Sequence, residues 1–314
     1  MARIIPPELV EPVVRVMLGS IDAGDGGTVH QRNLISALAV GYWDRPDLDL
    51  DALTPAEPDE AAALIVEPAH RRRMRQFMVL LELCRRPQTA AQVDRTEAYA
   101  TALGETGPGL DTLRLLVREG ADAASTYLLN RATEVAAADT SSATYRDVPV
   151  LLEAPDPDLE ARLRAFGELP EGTLGRAYFD FLDSNGFSFP GAEAGMPATF
   201  LEHDMCHVLC DYGPYGRDEI AVNAMVLTAA DTDAHWINMV ANLALREAGF
   251  FLPEGYEPIE PGTLARDDAI TLFVDALRRG AECTGDFANA DLLALAPEPL
   301  EQVRARFGIR PRRV

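Results

Sequence analysis

The sequence predicts an all-α protein made of two helical domains. Three observations carry that reading: apolar residues recur at three- and four-residue intervals through most of the chain, capping residues stand where those runs begin and end, and no convincing series of alternating strands appears. The domains are predicted at 1–145 and 150–314. Between them, near 134–158, small polar residues, a short apolar run and closely spaced prolines mark a boundary.

In the first block, Thr28 followed by Gln31 has the spacing of a capping box, and Leu34, Ile35, Leu38 and Ala39 then repeat at helical intervals, so a helix starts near Thr28. Met74, Phe77, Met78, Leu81 and Cys84 form a second apolar stripe, read as core packing, with Arg71 to Arg73 at its solvent edge. Segments 93–103 and 111–129 keep the same period, interrupted by Gly104 and Gly120. Together they describe a small helical bundle. In the second block, Thr173 caps a helix that runs through Tyr178, Phe179, Phe181 and Leu182 to a stop at Asn185 and Gly186. Further helices are expected over roughly 199–211, 218–230, 235–249, 267–283 and 298–307.

Composition narrows the function classes. The chain has 314 residues and 47% hydrophobic content, enough to bury a core in each block. All 28 cationic residues are Arg, set against 50 Asp and Glu, for a net charge of −22. Such a surface repels phosphate backbones and anionic headgroups, which argues against nucleic-acid binding and leaves at most peripheral membrane contact. No basic segment followed by an apolar run opens the chain and no stretch approaches a bilayer span, so a soluble cytoplasmic protein is expected. Cys84, Cys206, Cys210 and Cys283 are scattered, and are read as reduced and mostly buried.

The strongest chemical signal lies in Thr199-Phe-Leu-Glu-His-Asp-Met-Cys-His. On a helix, His203 and His207 lie four apart and can converge on one ion, and Asp204 sits about 100° around from His203, able to ligate or to orient a bound water. After the turn at 212–216 a new helix begins, with Glu219 in its first turn; a helix–turn–helix return brings that carboxylate back to the histidines. Two His with one or two carboxylates suit a divalent Zn, Fe or Mn ion, without choosing among them. Cys206 and Cys210 project from a neighbouring face and are read as core. His235 is read as a capped, partly buried histidine, although a ligand or stacking role is open to it. Asp22-Ala-Gly-Asp-Gly-Gly lacks the spacing of a calcium loop and is read as a turn.

His203-Asp204-x-x-His207 followed by eleven residues and then Glu219 resembles the metal signature of the coenzyme Q (ubiquinone) biosynthesis protein 4 family. Thr173-Leu-Gly-Arg-Ala-Tyr-Phe-Asp-Phe-Leu with Asn185-Gly-Phe resembles that family's entry helix. Ala276-Leu-Arg-Arg-Gly-Ala and Pro299-Leu-Glu-Gln-Val-Arg-Ala-Arg-Phe-Gly-Ile resemble its closing helices. The resemblance covers about residues 155–314. It implies an all-helical domain in which His203, Asp204, His207 and Glu219 hold the metal. The ligand it implies is an apolar or aromatic small molecule carrying a prenyl tail, with apolar helices such as 235–251 as one wall of its groove. Residues 10–130 more weakly resemble the tellurite-resistance TerB-like helical domain, through Asp25-Gly-Gly-Thr-Val and Ala98-Tyr-Ala-Thr-Ala-Leu-Gly, with Arg32 where an acidic residue is expected.

Three functions follow as expectations. The first is a metalloenzyme that replaces the carboxyl of an aromatic or quinone-precursor ring by a hydroxyl. The second is a zincin-like hydrolase in which His203, His207 and Glu219 bind the ion and Asp204 is the catalytic base. The third is a non-enzymatic lipid-binding scaffold with a structural metal, whose N-terminal bundle recruits a protein partner or a second copy of the chain. A nucleotide phosphohydrolase is disfavoured because no His lies between His70 and His203.

Overall fold

A computed structural model describes residues 5–139, 155–193, 195, 200–252 and 260–313. The fold is all-α: among the described residues there is no strand, only an isolated bridge between Thr173 and Pro299. No described helix is long and apolar enough to cross a membrane. Most of the expected domain boundary, including 140–154, lies outside the described residues, as does Thr199.

The chain begins with α1 (Pro7–Ser20) and α2 (Val29–Ala37). The Thr28 capping box forms as expected, with the Gln31 amide N–H donating to Thr28 Oγ1 at 3.1 Å and the Thr28 N–H to Gln31 Oε1 at 3.0 Å. The same Gln31 side chain donates Nε2–H to the Leu81 carbonyl at 3.0 Å, tying the start of α2 to α4 (Pro68–Leu83). Between them lie a π-helical turn (Leu38–Tyr42) and α3 (Pro58–Leu64). The stripe Met74, Phe77, Met78, Leu81 and Cys84 is buried as predicted. Arg73 is not at the solvent edge. It is 2% exposed and pairs with Asp231 at 3.3 Å, because α4 is covered by the second block on the face where Arg73 emerges. Arg71 turns inward too, donating to the carbonyls of Ala62, Ile65 and Leu103.

α5 (Ala90–Leu103) stops at left-handed Gly104, and Gly120 divides the next expected helix into α6 (Pro108–Glu119) and α7 (Ala121–Asp139). The Asp22–Gly27 stretch is a turn: the Arg85 guanidinium binds the Asp25 carboxylate and the Gly26 carbonyl.

The second block opens with α8 (Pro157–Arg164) and α9 (Leu174–Asn185), the latter capped by Thr173 and closed by left-handed Gly186 as expected. α10 (Leu201–Cys210) and α11 (Arg217–Ala229) follow, joined by a tight turn. The expected helix over 235–249 is instead α12 (Asp233–Leu243) followed by a π-helical turn, Ala244–Ala248, that ends at left-handed Gly249. The apolar face of α12 belongs to the core, packed on α7 and α11. α13 (Asp267–Glu282), a short α14 (Leu292–Leu295) and α15 (Leu300–Arg306) complete the chain.

Helices of the two blocks meet along α12 with α7, α4 and α6, and along α13 with α2 and the first π-turn. Their buried side chains form one continuous apolar cluster. Among the described residues the most extensive helix–helix packing is that of α11 on α13, and it positions the candidate site because α11 carries Glu219. A small residue permits the approach: a Cβ at Gly280 would clash with the Met225 carbonyl and the Thr228 hydroxyl, and Thr228 Oγ1 donates to the Leu277 carbonyl at 2.8 Å. Gly280→Ala is therefore expected to destabilise the protein by about 2 kcal/mol in urea unfolding despite the better helix propensity of Ala. An unchanged or raised midpoint would show that the pair is not locked at this contact.

Candidate metal centre

α10 starts at Leu201, so His203 and His207 lie one turn apart on the same face. Asp211 then takes a left-handed conformation (φ 62°), and the turn through Gly216 (φ 56°, ψ −121°) reverses the chain into α11. Glu219, in the first turn of α11, is thereby returned to the two imidazoles. The Nε2 atoms of His203 and His207 stand 3.1 Å apart. Glu219 Oε2 is 3.3 Å from His203 Nε2, and Oε1 is 3.5 Å from His207 Nε2.

Those separations fit a single ion. Bonds of about 2.0–2.2 Å from a tetrahedral centre place its ligand atoms about 3.3–3.6 Å from one another. The Asp204 carboxylate stands outside this group of converging donors, although its charge acts on His203 and Glu219. The sequence candidates thus divide into a tripod, His203, His207 and Glu219, and a neighbouring acid.

Electrostatics sharpen the division. Burial opposes ionisation of Glu219, but its hydrogen bond to His203 and the nearby His203, His207 and Arg246 outweigh burial and bring it down to about 2. Burial pushes the Asp204 carboxyl up to about 7, with Glu219 adding to the rise and His203 opposing it. Burial lowers His207 to about 4, with His203 contributing. Burial also acts against charge on His203, yet Glu219 and Asp204 together leave it raised.

Arg246 is a site residue that the sequence reading missed. It lies in the second π-turn, its Nη2 3.7 Å from Glu219 Oε2, with a buried Nε that has no hydrogen-bond partner. Only the direction of α12 and the register of the π-turn bring it here, and neither is visible in local spacing. A ladder of rings also leads from the tripod outward. Phe181 of α9 stacks on His207 (centroids 5.9 Å, planes 20° apart), Phe187 packs on Phe181 at 6.2 Å, and the exposed Tyr215 packs on Phe187 at 5.9 Å.

The other candidates stay apart from the tripod. Cys206 and Cys210 are fully buried in the core, and none of the four cysteines forms a disulfide. His235 is capped by Thr232, 5% exposed, and held by both oxygens of Asp286 at 3.0 Å. No family model matches the sequence, and no curated protein matches it.

Replacing a tripod donor and replacing Asp204 should differ. His207→Gln or Glu219→Gln is expected to weaken Mn²⁺ or Zn²⁺ binding by more than about 100-fold in calorimetric titration, whereas Asp204→Asn should stay within about tenfold of wild type. Equal losses in all three would place the Asp204 carboxylate among the ligands. A second expectation concerns Asp286: burial raises it, but His235 and the Asn289 donors hold it below the ordinary Asp range. The stability that this depression contributes is present above that range and lost as pH falls through the folded value. Asp286→Asn should therefore flatten the acid limb of a plot of stability against pH, and an acid limb as steep as wild type would contradict the pairing.

Proposed function

We propose that this protein is a metal-dependent enzyme that replaces the carboxyl group of an aromatic, quinone-precursor ring by a hydroxyl. The observation that carries the reading is the convergence of His203, His207 and Glu219 with Arg246 and a ladder of rings beside them. His203, His207 and Glu219 would hold a Zn²⁺, Fe²⁺ or Mn²⁺ ion, and with Fe²⁺ or Mn²⁺ bound the site gains access to dioxygen chemistry. The donor set brings one negative charge, so a divalent ion leaves a net positive site suited to an anionic substrate.

The side chains supply the rest. Arg246, with its unpartnered Nε, offers a charge-assisted hydrogen bond to a ring carboxylate. Phe181, Phe187 and Tyr215 offer apolar and aromatic surface to the ring and to a prenyl tail. Asp204, half-buried beside the tripod, holds or accepts a proton. The overall change consumes the ring carboxylic acid, dioxygen, two protons and two electrons from a reductant, and yields the phenol, carbon dioxide and water.

The test is incubation of protein loaded with each metal, with dioxygen and a reductant, on prenylated and unprenylated hydroxybenzoates, read by mass spectrometry. Conversion to the phenol is expected, with Arg246→Met raising KM about 10- to 100-fold. Metal-loaded protein that leaves both substrates unchanged would sink the reading. A zincin-like hydrolase is the second reading, favoured by the position of Asp204 one residue after His203 on the same helix. Peptide or ester turnover abolished by Asp204→Asn would put it first. For a lipid-binding scaffold with a structural metal, removing the ion would instead unfold the protein.

A further inference from the structure

A second cluster of donors lies where the two blocks of the chain meet. His30 sits in the first turn of α2, Cys84 caps the C-terminus of α4, and Glu247 belongs to the same π-turn as Arg246. One donor atom from each lies within 4.8 Å of the other two, and His30 Nδ1 is 3.5 Å from Glu247 Oε1.

The surroundings of these groups are unusual for a region of ordinary packing. The Glu247 side chain is completely buried. One of its oxygens accepts the Leu264 N–H at 2.7 Å, but the other, Oε1, has no hydrogen-bond partner. His30 Nε2 is likewise buried and unpartnered. Cys84 is 2% exposed, whereas the His30 side chain keeps 17% of its surface in solvent and so leaves an approach open. The His30 ring also hydrogen-bonds the main chain of Leu264 and Cys84, but the buried Glu247 Oε1, facing that ring and the Cys84 thiol with no hydrogen-bond donor of its own, costs free energy unless something fills the space between them. The charged neighbours are Arg86, which acts on His30 and Glu247, and Glu82, which acts on Cys84.

We propose that His30, Cys84 and Glu247 form a second site, for a thiophilic divalent ion of the zinc class, that clamps the N-terminal block to the C-terminal one. The donor types select the ion: thiolate and imidazole suit Zn²⁺ or Co²⁺ and disfavour Mg²⁺ and Ca²⁺. Charge agrees, because a thiolate and a carboxylate neutralise a divalent ion, and a neutral cluster is what a nearly dry interior tolerates. The tripod has the opposite character, with no sulfur and an uncompensated charge. Binding displaces the Cys84 thiol proton to solvent, and closing the donors onto an ion needs movements of about 1 Å.

Sulfur ligation gives a readout that the tripod cannot produce. Co²⁺ titrated into the full chain under reducing conditions should develop a near-ultraviolet thiolate-to-cobalt charge-transfer band and bind to a stoichiometry of two ions per chain. The band should persist in His207→Gln, vanish in Cys84→Ser, and need more than about 100-fold more cobalt in His30→Gln. Zinc should raise the unfolding temperature of His207→Gln and leave that of the double variant H207Q/C84S unchanged, with far-ultraviolet circular dichroism confirming that both are folded. Absence of the band in wild type, or a band of equal strength in folded Cys84→Ser, overturns the proposal. Arg86 together with a carboxyl proton would then neutralise Glu247.

Discussion

The geometry of the tripod depends on how the C-terminal end of α10 is held. A helix leaves its last carbonyls without partners, and here those carbonyls point into the protein. Arg279, 1% exposed, reaches from α13 and donates through Nη1 and Nη2 to the Cys210 carbonyl at 3.0 and 2.9 Å, and through Nε and Nη2 to the Arg310 carbonyl. Arg304 donates to the carbonyls of Val208 and Leu209, both at 2.9 Å, and Arg312 to that of Asp211. Arg279 and Arg312 also lie over the ring of Tyr212. The end of the helix that carries both histidines is thus fixed to α13, α15 and the C-terminal segment. The turn that returns Glu219 starts from a rigid point, and a loosened clasp would spread the donors before it unfolded the chain.

The same device recurs across the molecule. Arg15, Arg71, Arg85, Arg95 and Arg176 also donate to main-chain carbonyls. A fold of fifteen described α-helices exposes many helix ends and turns, and the planar fork of Arg satisfies several acceptors from one side chain, which a lysine ammonium does less well. The excess of carboxylates over cations therefore overstates how acidic the interior is: much of the positive charge is directed inward, and the negative charge is left for the surface.

The periodic helices and their caps were legible because their causes are local. Thr28, Thr173, Gly104 and Gly186 act on neighbours within one turn, and His203 and His207 share a face by helical geometry alone. α1, α3 and α8 escaped the reading although each carries a signal, a proline at the helix start followed by acidic residues in the first turn. Arg73 was misplaced because a charged residue at the rim of an apolar stripe looks solvated until the covering helix is known. Glu219 needed a chain reversal that the glycines of 213–216 made plausible. Arg246, and the meeting of His30 with Cys84 and Glu247, were beyond reach, since they join elements far apart in sequence through packing that no local pattern encodes.

The π-turn at Ala244–Ala248 has a consequence for how this arrangement could arise or be lost. A π-turn is an α-helix carrying one extra residue, and it rotates everything after the insertion by about 100° relative to what precedes it. Two consecutive side chains of this turn, about 100° apart as in any helix, reach different destinations, Arg246 towards Glu219 and Glu247 towards His30. Deleting one residue would restore regular winding, and the shortened helix could satisfy one destination or the other. A chain of this fold without the extra residue should therefore have lost one of these contacts, so the length of this short segment, more than its composition, distinguishes a molecule with both polar clusters from one with a single cluster.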